Sequence, residues 1–235
     1  MSLEEAVVVV AGAGGGAGAA VVRRLSAAGA IVVAADRALD TTEELVREIG
    51  EAGGQIEAYA VDLLDEDTTH KWADSVTARF GRVDGVVHLV GGWRGGKGIT
   101  EADLADWDWL SGLLVRTVQN TTRAFHDQLK ASPVGRFVLV SAAEASHPTA
   151  KNASYAAAKA AAEAWTLAVA DSFRDSEAAA TIVVVKALVT PQMREAKPDS
   201  AFKGYTDVGE LADVIAGLWD KPAAEVNGER LWLTT

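Results

Sequence analysis

Solid apolar runs alternate with stretches whose apolar residues recur every three or four positions. The first run, within 7–18, reads VVVVAGAGGGAG. Four consecutive β-branched residues predict a strand buried on both faces. The glycines end it, and Ala19, Val21, Val22 and Leu25 then keep helical spacing up to Gly29. A second strand is expected over 31–35, ending at Asp36, and Asp40 and Thr41 are placed to cap a helix to about residue 53. A third strand over 56–61 closes on Asp62 and Leu63, and Asp65 caps a helix to about residue 80. Strands follow over 83–90, 136–140, 181–185 and 230–233. Helices are expected over 103–131, 153–173 and 207–219, with loops at 91–96, 142–152 and up to residue 206. No internal repeat and no linker-like segment interrupts the series. Strand and helix in regular alternation predict a doubly wound parallel α/β sheet of about seven strands with helices on both faces, one domain over 1–235.

Composition narrows the partners. The net charge is −11 over 235 residues, which argues against nucleic acid or an anionic membrane surface. No apolar stretch is long enough to span a bilayer, and Glu4 and Glu5 stand where a signal peptide carries positive charge. There is no cysteine, so neither a disulfide frame nor thiolate chemistry is available. His70, His88, His126 and His147 are scattered without metal-ligand spacing, so no metal is expected. A cytoplasmic protein acting on a small molecule fits these features.

A strand, a glycine turn and a helix start in succession aim free backbone N–H groups at one spot, a ready anion site. Glycine permits close approach of a pyrophosphate. Asp36, about twenty residues on, suits the two adenosine ribose hydroxyls and repels a 2′-phosphate. NAD(H) is therefore expected over NADP(H), although Arg37 beside it is able to pair with a 2′-phosphate. No Gly-Lys-Ser/Thr follows, which disfavours a mononucleotide phosphate loop.

Tyr155 and Lys159 lie one turn apart on one helix face. A nearby ammonium stabilises a phenolate, so Lys159 is expected to lower the tyrosine pKa and make it a usable proton donor. With Gly12-x-x-x-Gly16-x-Gly18, Asp36 and Asp62-Leu63, this pair resembles the short-chain dehydrogenase/reductases over essentially the whole chain. The resemblance implies a Rossmann-type fold and cofactor contacts from Gly12, Gly16, Ala17, Gly18, Asp36, Arg37, Asp62, Leu63, Gly91 and Lys159. It also implies a homodimer or homotetramer, built on faces carrying Leu113, Leu114, Val118, Ala157, Ala161, Trp165 and Ala168.

The departures are as informative. The family's catalytic serine position, thirteen residues before Tyr155, is Ala142, and Ser141 one place earlier should point away. Its helix asparagine falls on Leu114, its Asn-Asn-Ala-Gly segment is His88-Leu89-Val90-Gly91, and its Pro-Gly pair after the sixth strand is absent. Gly91-Gly92-Trp93-Arg94-Gly95-Gly96 is similar to the Gly-Gly-Trp-x-Gly-Gly of the dihydropteridine reductase branch, which likewise has alanine at the serine position. That branch implies hydride transfer from NADH to a quinonoid pterin, with Tyr155 and Lys159 catalytic and Trp93, Ala142 and Tyr155 at the substrate. Such a ring is already electron-poor, so one proton donor suffices. Trp93 is either a stacking surface for a flat bicycle or a lid over the cofactor. Arg94, Lys97 and His147 are further candidates at the substrate. Two alternatives stay open: a carbonyl or enone reductase lacking the serine, and a non-catalytic NAD(H)-binding protein.

Overall fold

The computed structural model describes residues 3–234. In chain order the strands are β1 (Val7–Ala11), β2 (Ile31–Asp36), β3 (Ile56–Ala60), β4 (Gly85–His88), β5 (Arg136–Ala142), β6 (Ala179–Val185), β7 (Leu188–Val189), β8 (Thr206–Asp207) and β9 (Arg230–Trp232). The helices are α1 (Gly18–Ala27), α2 (Glu43–Glu51), α3 (Glu66–Phe80), α4 (Leu104–Ser111), α5 (Thr117–Ala131), α6 (Ala153–Ser172), α7 (Pro191–Ala196), α8 (Val208–Ala216) and α9 (Ala223–Val226). Seven strands form one parallel sheet in the order β3-β2-β1-β4-β5-β6-β9, the Rossmann-like arrangement expected.

Every residue of β1 is buried because the sheet is covered twice. Side chains alternate across a strand. Val8 and Val10 therefore join Val21, Leu25, Leu211 and Ile215 under α1 and α8. Val7 and Val9 join Trp72, Phe125 and Phe137 under α3 and α5. The strand order reverses between β1 and β4, so the chain leaves their carboxyl ends in opposite directions and a crevice opens there.

Four local expectations need correction. Asp40 and Thr41 cap nothing. The Thr41 hydroxyl donates to the Ala38 carbonyl in a 3-10 turn, and α2 starts beyond Thr42. The helical pattern over 103–131 begins at the Asp103 cap, whose carboxylate accepts from the Ala105 N–H, and widens into a π-helical turn at Gly112–Arg116 between α4 and α5. The loop after β6 contains α7 and a small parallel β7–β8 ladder, because Thr190 caps a helix that Pro191 can open. Leu114 and Val118 are buried in their own chain and are not free to meet a partner, whereas Ala157 and Ala168 on α6 are exposed. Among the described residues no helix is long and apolar enough to cross a membrane, and no cluster of metal-ligating side chains occurs.

The end of the sheet opposite the crevice is pinned by buried Asp84. Its carboxylate accepts from the Val7 N–H at 3.0 Å, the Ser132 hydroxyl at 2.6 Å and the Arg82 guanidinium at 2.6 Å. One side chain thus joins the starts of β1 and β4 to the end of α5. Asp84→Ala should lower the unfolding free energy by roughly 3 kcal/mol in urea titrations, since it orphans buried donors. A loss under about 1 kcal/mol would show that these donors find water instead.

Candidate active site

A cleft of about 780 Å³ lies across the carboxyl ends of β1, β2, β4, β5 and β6. Its floor is the β1–α1 turn. The Gly12 N–H donates to the Ala35 carbonyl at 2.8 Å, and Gly12 holds φ +85°, where a Cβ would come within 2.9 Å of the Val90 nitrogen. Gly15, Gly16 and Ala17 line the cleft. Gly18 does not. It is buried, and a Cβ there would run into the Ala13 carbonyl, so it seats the helix on its own turn. Helix α1 has no side-chain cap and no acid in its first turn, which leaves its positive end open to an anion.

The Asp36 carboxylate accepts from the Gly14 N–H at 2.9 Å and the Arg37 N–H at 2.7 Å. It is thereby fixed at the mouth of the turn with lone pairs to spare. Arg37 also lines the cleft and makes no ion pair among the described residues. Asp62 accepts from the Leu64 N–H at 3.0 Å and shares this wall with Leu63. Buried Asn120 on α5 donates to the Leu63 and Leu64 carbonyls at 2.9 and 3.2 Å. The only sequence signal for this tether is an amide on the apolar face of a helix. Open N–H groups, a close glycine approach and a fixed carboxylate together fit an adenine dinucleotide.

At the other end α6 brings Tyr155 and Lys159 to the cleft. Lys159 is 7% exposed, and its ammonium donates to the Val140 carbonyl at 2.9 Å. Burial pulls it down to about 8, against the opposing pull of Glu163 and then Glu144. The expected lowering of the phenol is reversed. Burial, and then the Glu144 charge, push Tyr155 up to about 12. Spacing alone places an ammonium near the phenol, but the groups that shift it are its apolar surroundings and Glu144, with desolvation the larger effect. Nothing in the sequence singles out Glu144; one of its carboxylate oxygens is buried without a hydrogen-bond partner among the described residues.

Ala142 faces the cleft, and the Ser141 hydroxyl is turned away to donate to Glu163 at 2.6 Å. Leu114 packs with Leu110 and Ala158 behind Tyr155. Gly91, Gly92 and Trp93 form the rim, and the Trp93 ring is 59% exposed. Arg94 does not reach into the cleft. Its guanidinium lies 4.1 Å over the Trp109 ring and 3.5 Å from Asp106. Lys97 and His147 are also outside the cleft wall, His147 edge-on to Trp232 at 6.3 Å. Lys186, Leu188, Thr190 and Met193 complete the wall after β6.

His88 ends β4 fully buried. Its Nε2 lies 3.1 Å from the Thr117 hydroxyl, which itself donates to the Leu113 carbonyl, so Nε2 carries the proton. Nδ1 has no partner. Burial, and then the Lys159 charge, pull His88 down to about 3.

Residues 6–201 match the family model described as short chain dehydrogenase. A curated relative, the 3-oxoacyl-[acyl-carrier-protein] reductase FabG of Thermotoga maritima, is 26% identical over 129 residues, 55% of this chain and 52% of its own length. The match therefore spans about half of that relative. A short-chain type dehydrogenase/reductase from Mycobacterium ulcerans superposes with a TM-score of 0.89 at 25% identity, covering 99% of this chain and 90% of that one. A metagenomic short-chain oxidoreductase in complex with NADP gives a TM-score of 0.82 at 28% identity over 100% of both chains.

Neutral His88 makes the fold acid-sensitive. The unfolded chain protonates this histidine below about pH 6.5, and the folded one holds out to about 3. Unfolded protein binds more protons in that window, so stability falls as pH drops through it. The contribution from this group at pH 4 is roughly 3 kcal/mol. Urea titrations at pH 7 and pH 4 should show His88→Gln losing less than wild type between the two, and equal losses would assign the sensitivity elsewhere.

Proposed function

The chain belongs to the short-chain dehydrogenase/reductase family, and on that footing we propose that it is an NADH-dependent reductase of the dihydropteridine reductase type, acting on a quinonoid, pterin-like ring. Membership makes it an oxidoreductase that uses a nicotinamide cofactor. The finer reading is carried by one observation: at the serine position Ala142 faces the cleft, and the neighbouring Ser141 hydroxyl is committed to Glu163. Reduction of a simple ketone gains from two hydroxyls holding the oxygen as charge develops on it. A conjugated electron-poor ring spreads that charge itself and needs one proton donor.

The chain's residues then have defined tasks. The open end of α1 takes the pyrophosphate, and Asp36 takes the adenosine ribose and disfavours a 2′-phosphate. Lys159 holds the nicotinamide ribose, as the family implies. NADH, when bound, supplies the hydride. Tyr155 stays protonated through neutral pH and gives the accompanying proton, which solvent replaces. Trp93 offers a largely uncovered face for the ring to stack on. The domain assignment 1–235, a homodimer or homotetramer through the exposed alanines of α6, and a cytoplasmic site of action belong to the same reading. A second reading, a carbonyl or enone reductase lacking the serine, draws support from the FabG relative, whose name specifies a 3-oxoacyl substrate.

Two measurements test this. Fluorescence titration should show tighter binding of NADH than NADPH, and Asp36→Ala should shrink the difference by removing like-charge repulsion. NADPH binding as tight or tighter in the wild type would mean that Arg37 prevails.

NADH oxidation should be fast with a quinonoid dihydropterin and slow with unactivated ketones, and Tyr155→Phe should lower kcat by roughly 100-fold with NADH affinity nearly unchanged. Preference for a 3-oxoacyl thioester would favour the second reading, and full activity of Tyr155→Phe would remove the phenol from the reaction.

A further inference from the structure

Three polar residues near the reacting end have no part in the chemistry above. Glu163 is one helical turn beyond Lys159 on α6, and its side chain is 5% exposed. One carboxylate oxygen accepts from the Ser141 hydroxyl at 2.6 Å, the other from the Arg230 guanidinium at 2.8 Å. Ser141 is the neighbour of Val140, whose carbonyl holds the Lys159 ammonium at 2.9 Å. Two consecutive residues of β5 thus hold two consecutive turns of α6, one through the lysine and one through the glutamate. Arg230 reaches in from the edge strand β9, with its side chain 36% exposed.

A carboxylate buried this far is costly unless it is paired and hydrogen-bonded. Two donors from two separate strands meet that cost, although apolar side chains of similar volume would fill the space. The group that gains from the arrangement is the ammonium one turn away, buried with only one hydrogen bond recorded among the described residues. We infer that Glu163 is a positioning residue that serves buried Lys159 as its internal counter-anion, and that Ser141 and Arg230 hold the Glu163 carboxylate in place for that purpose. The inference rests on the placement of Lys159 at the cofactor in the proposed function.

The surroundings of Lys159 support this division of labour. On its own helix it has Tyr155 and Glu163. From the 3-10 turn Ala143–Ala145 it has Glu144, from β4 the neutral His88, and Arg230 stands behind Glu163. Burial acts to discharge the lysine, and Glu163 is the larger of the two opposing charges. Without Glu163 the ammonium gives up its proton at lower pH. The charge presented to the cofactor would then fade within the neutral range.

The test follows the Lys159 titration in full-length protein carrying isotope-labelled lysine, with its NMR resonance assigned by its absence from Lys159→Arg. Glu163→Gln keeps an acceptor for Ser141 and removes the charge, and should move the titration roughly one pH unit lower. NADH affinity should then weaken at pH 8 and recover at pH 6. Glu163→Met, which removes the charge and fills the space, should move it the same way and serves if Glu163→Gln does not fold. An unmoved Lys159 resonance in either folded variant overturns the inference, as does an affinity loss equal at both pH values. A shifted titration in a protein that reduces no quinonoid pterin would leave Glu163 in this role and remove the proposed reaction. Turnover with an unmoved titration would do the reverse.

Discussion

Covering a parallel sheet on both faces leaves its inner strands in contact with solvent only at their ends, and that constraint organises this molecule. Every backbone group inside β1 is committed to the ladders on either side, and every side chain to one of two cores. Chemistry therefore has to happen where the strands stop. The reversal of order between β1 and β4 selects the place, and the segments after β1 to β6 supply the side chains. The opposite end is closed by a buried carboxylate, Asp84, that joins the starts of β1 and β4 to the end of α5.

The reacting end departs from the apolar logic of the cores. Lys159, His88 and Glu163 are all buried within a few residues of the cleft, and each is treated differently. The lysine gives up part of its basicity, the histidine gives up its charge and leaves one nitrogen unpaired, and the glutamate is held by two donors. Around them, positions that carry serine and asparagine in the resembled family are alanine and leucine. Tyr155 thus packs against Leu110, Leu114 and Ala158, with Ala142 where the resembled family carries its serine.

Much of this was legible in the chain. The valine run, the glycines and the Asp36 that follows locate the cleft, and alternating strands and helices imply the sheet. Tyr155 and Lys159 are brought to one wall as their spacing requires. Other features leave no local signature. The π-helical turn depends on what α4 and α5 pack against, and the β7–β8 ladder joins residues far apart in the chain. Asn120, Glu144 and Glu163 matter through neighbours that only folding supplies. The phenol pKa moves against expectation for the same reason, because a spacing reports which groups share a helix face and says nothing about the water removed from them.

The glycine-rich rim has a kinetic meaning. Trp93 is followed by Arg94, fastened over Trp109, and by Gly96, whose N–H is held by the Lys151 carbonyl at 2.7 Å. Both attachments lie within three residues of the tryptophan, so the backbone there has little slack to swing as a lid. The ring still turns about its own side-chain bonds, a motion of picoseconds to nanoseconds rather than the microseconds to milliseconds of loop opening. The indole can accordingly change the face it turns to the cleft by rotamer alone, with the rim backbone standing still.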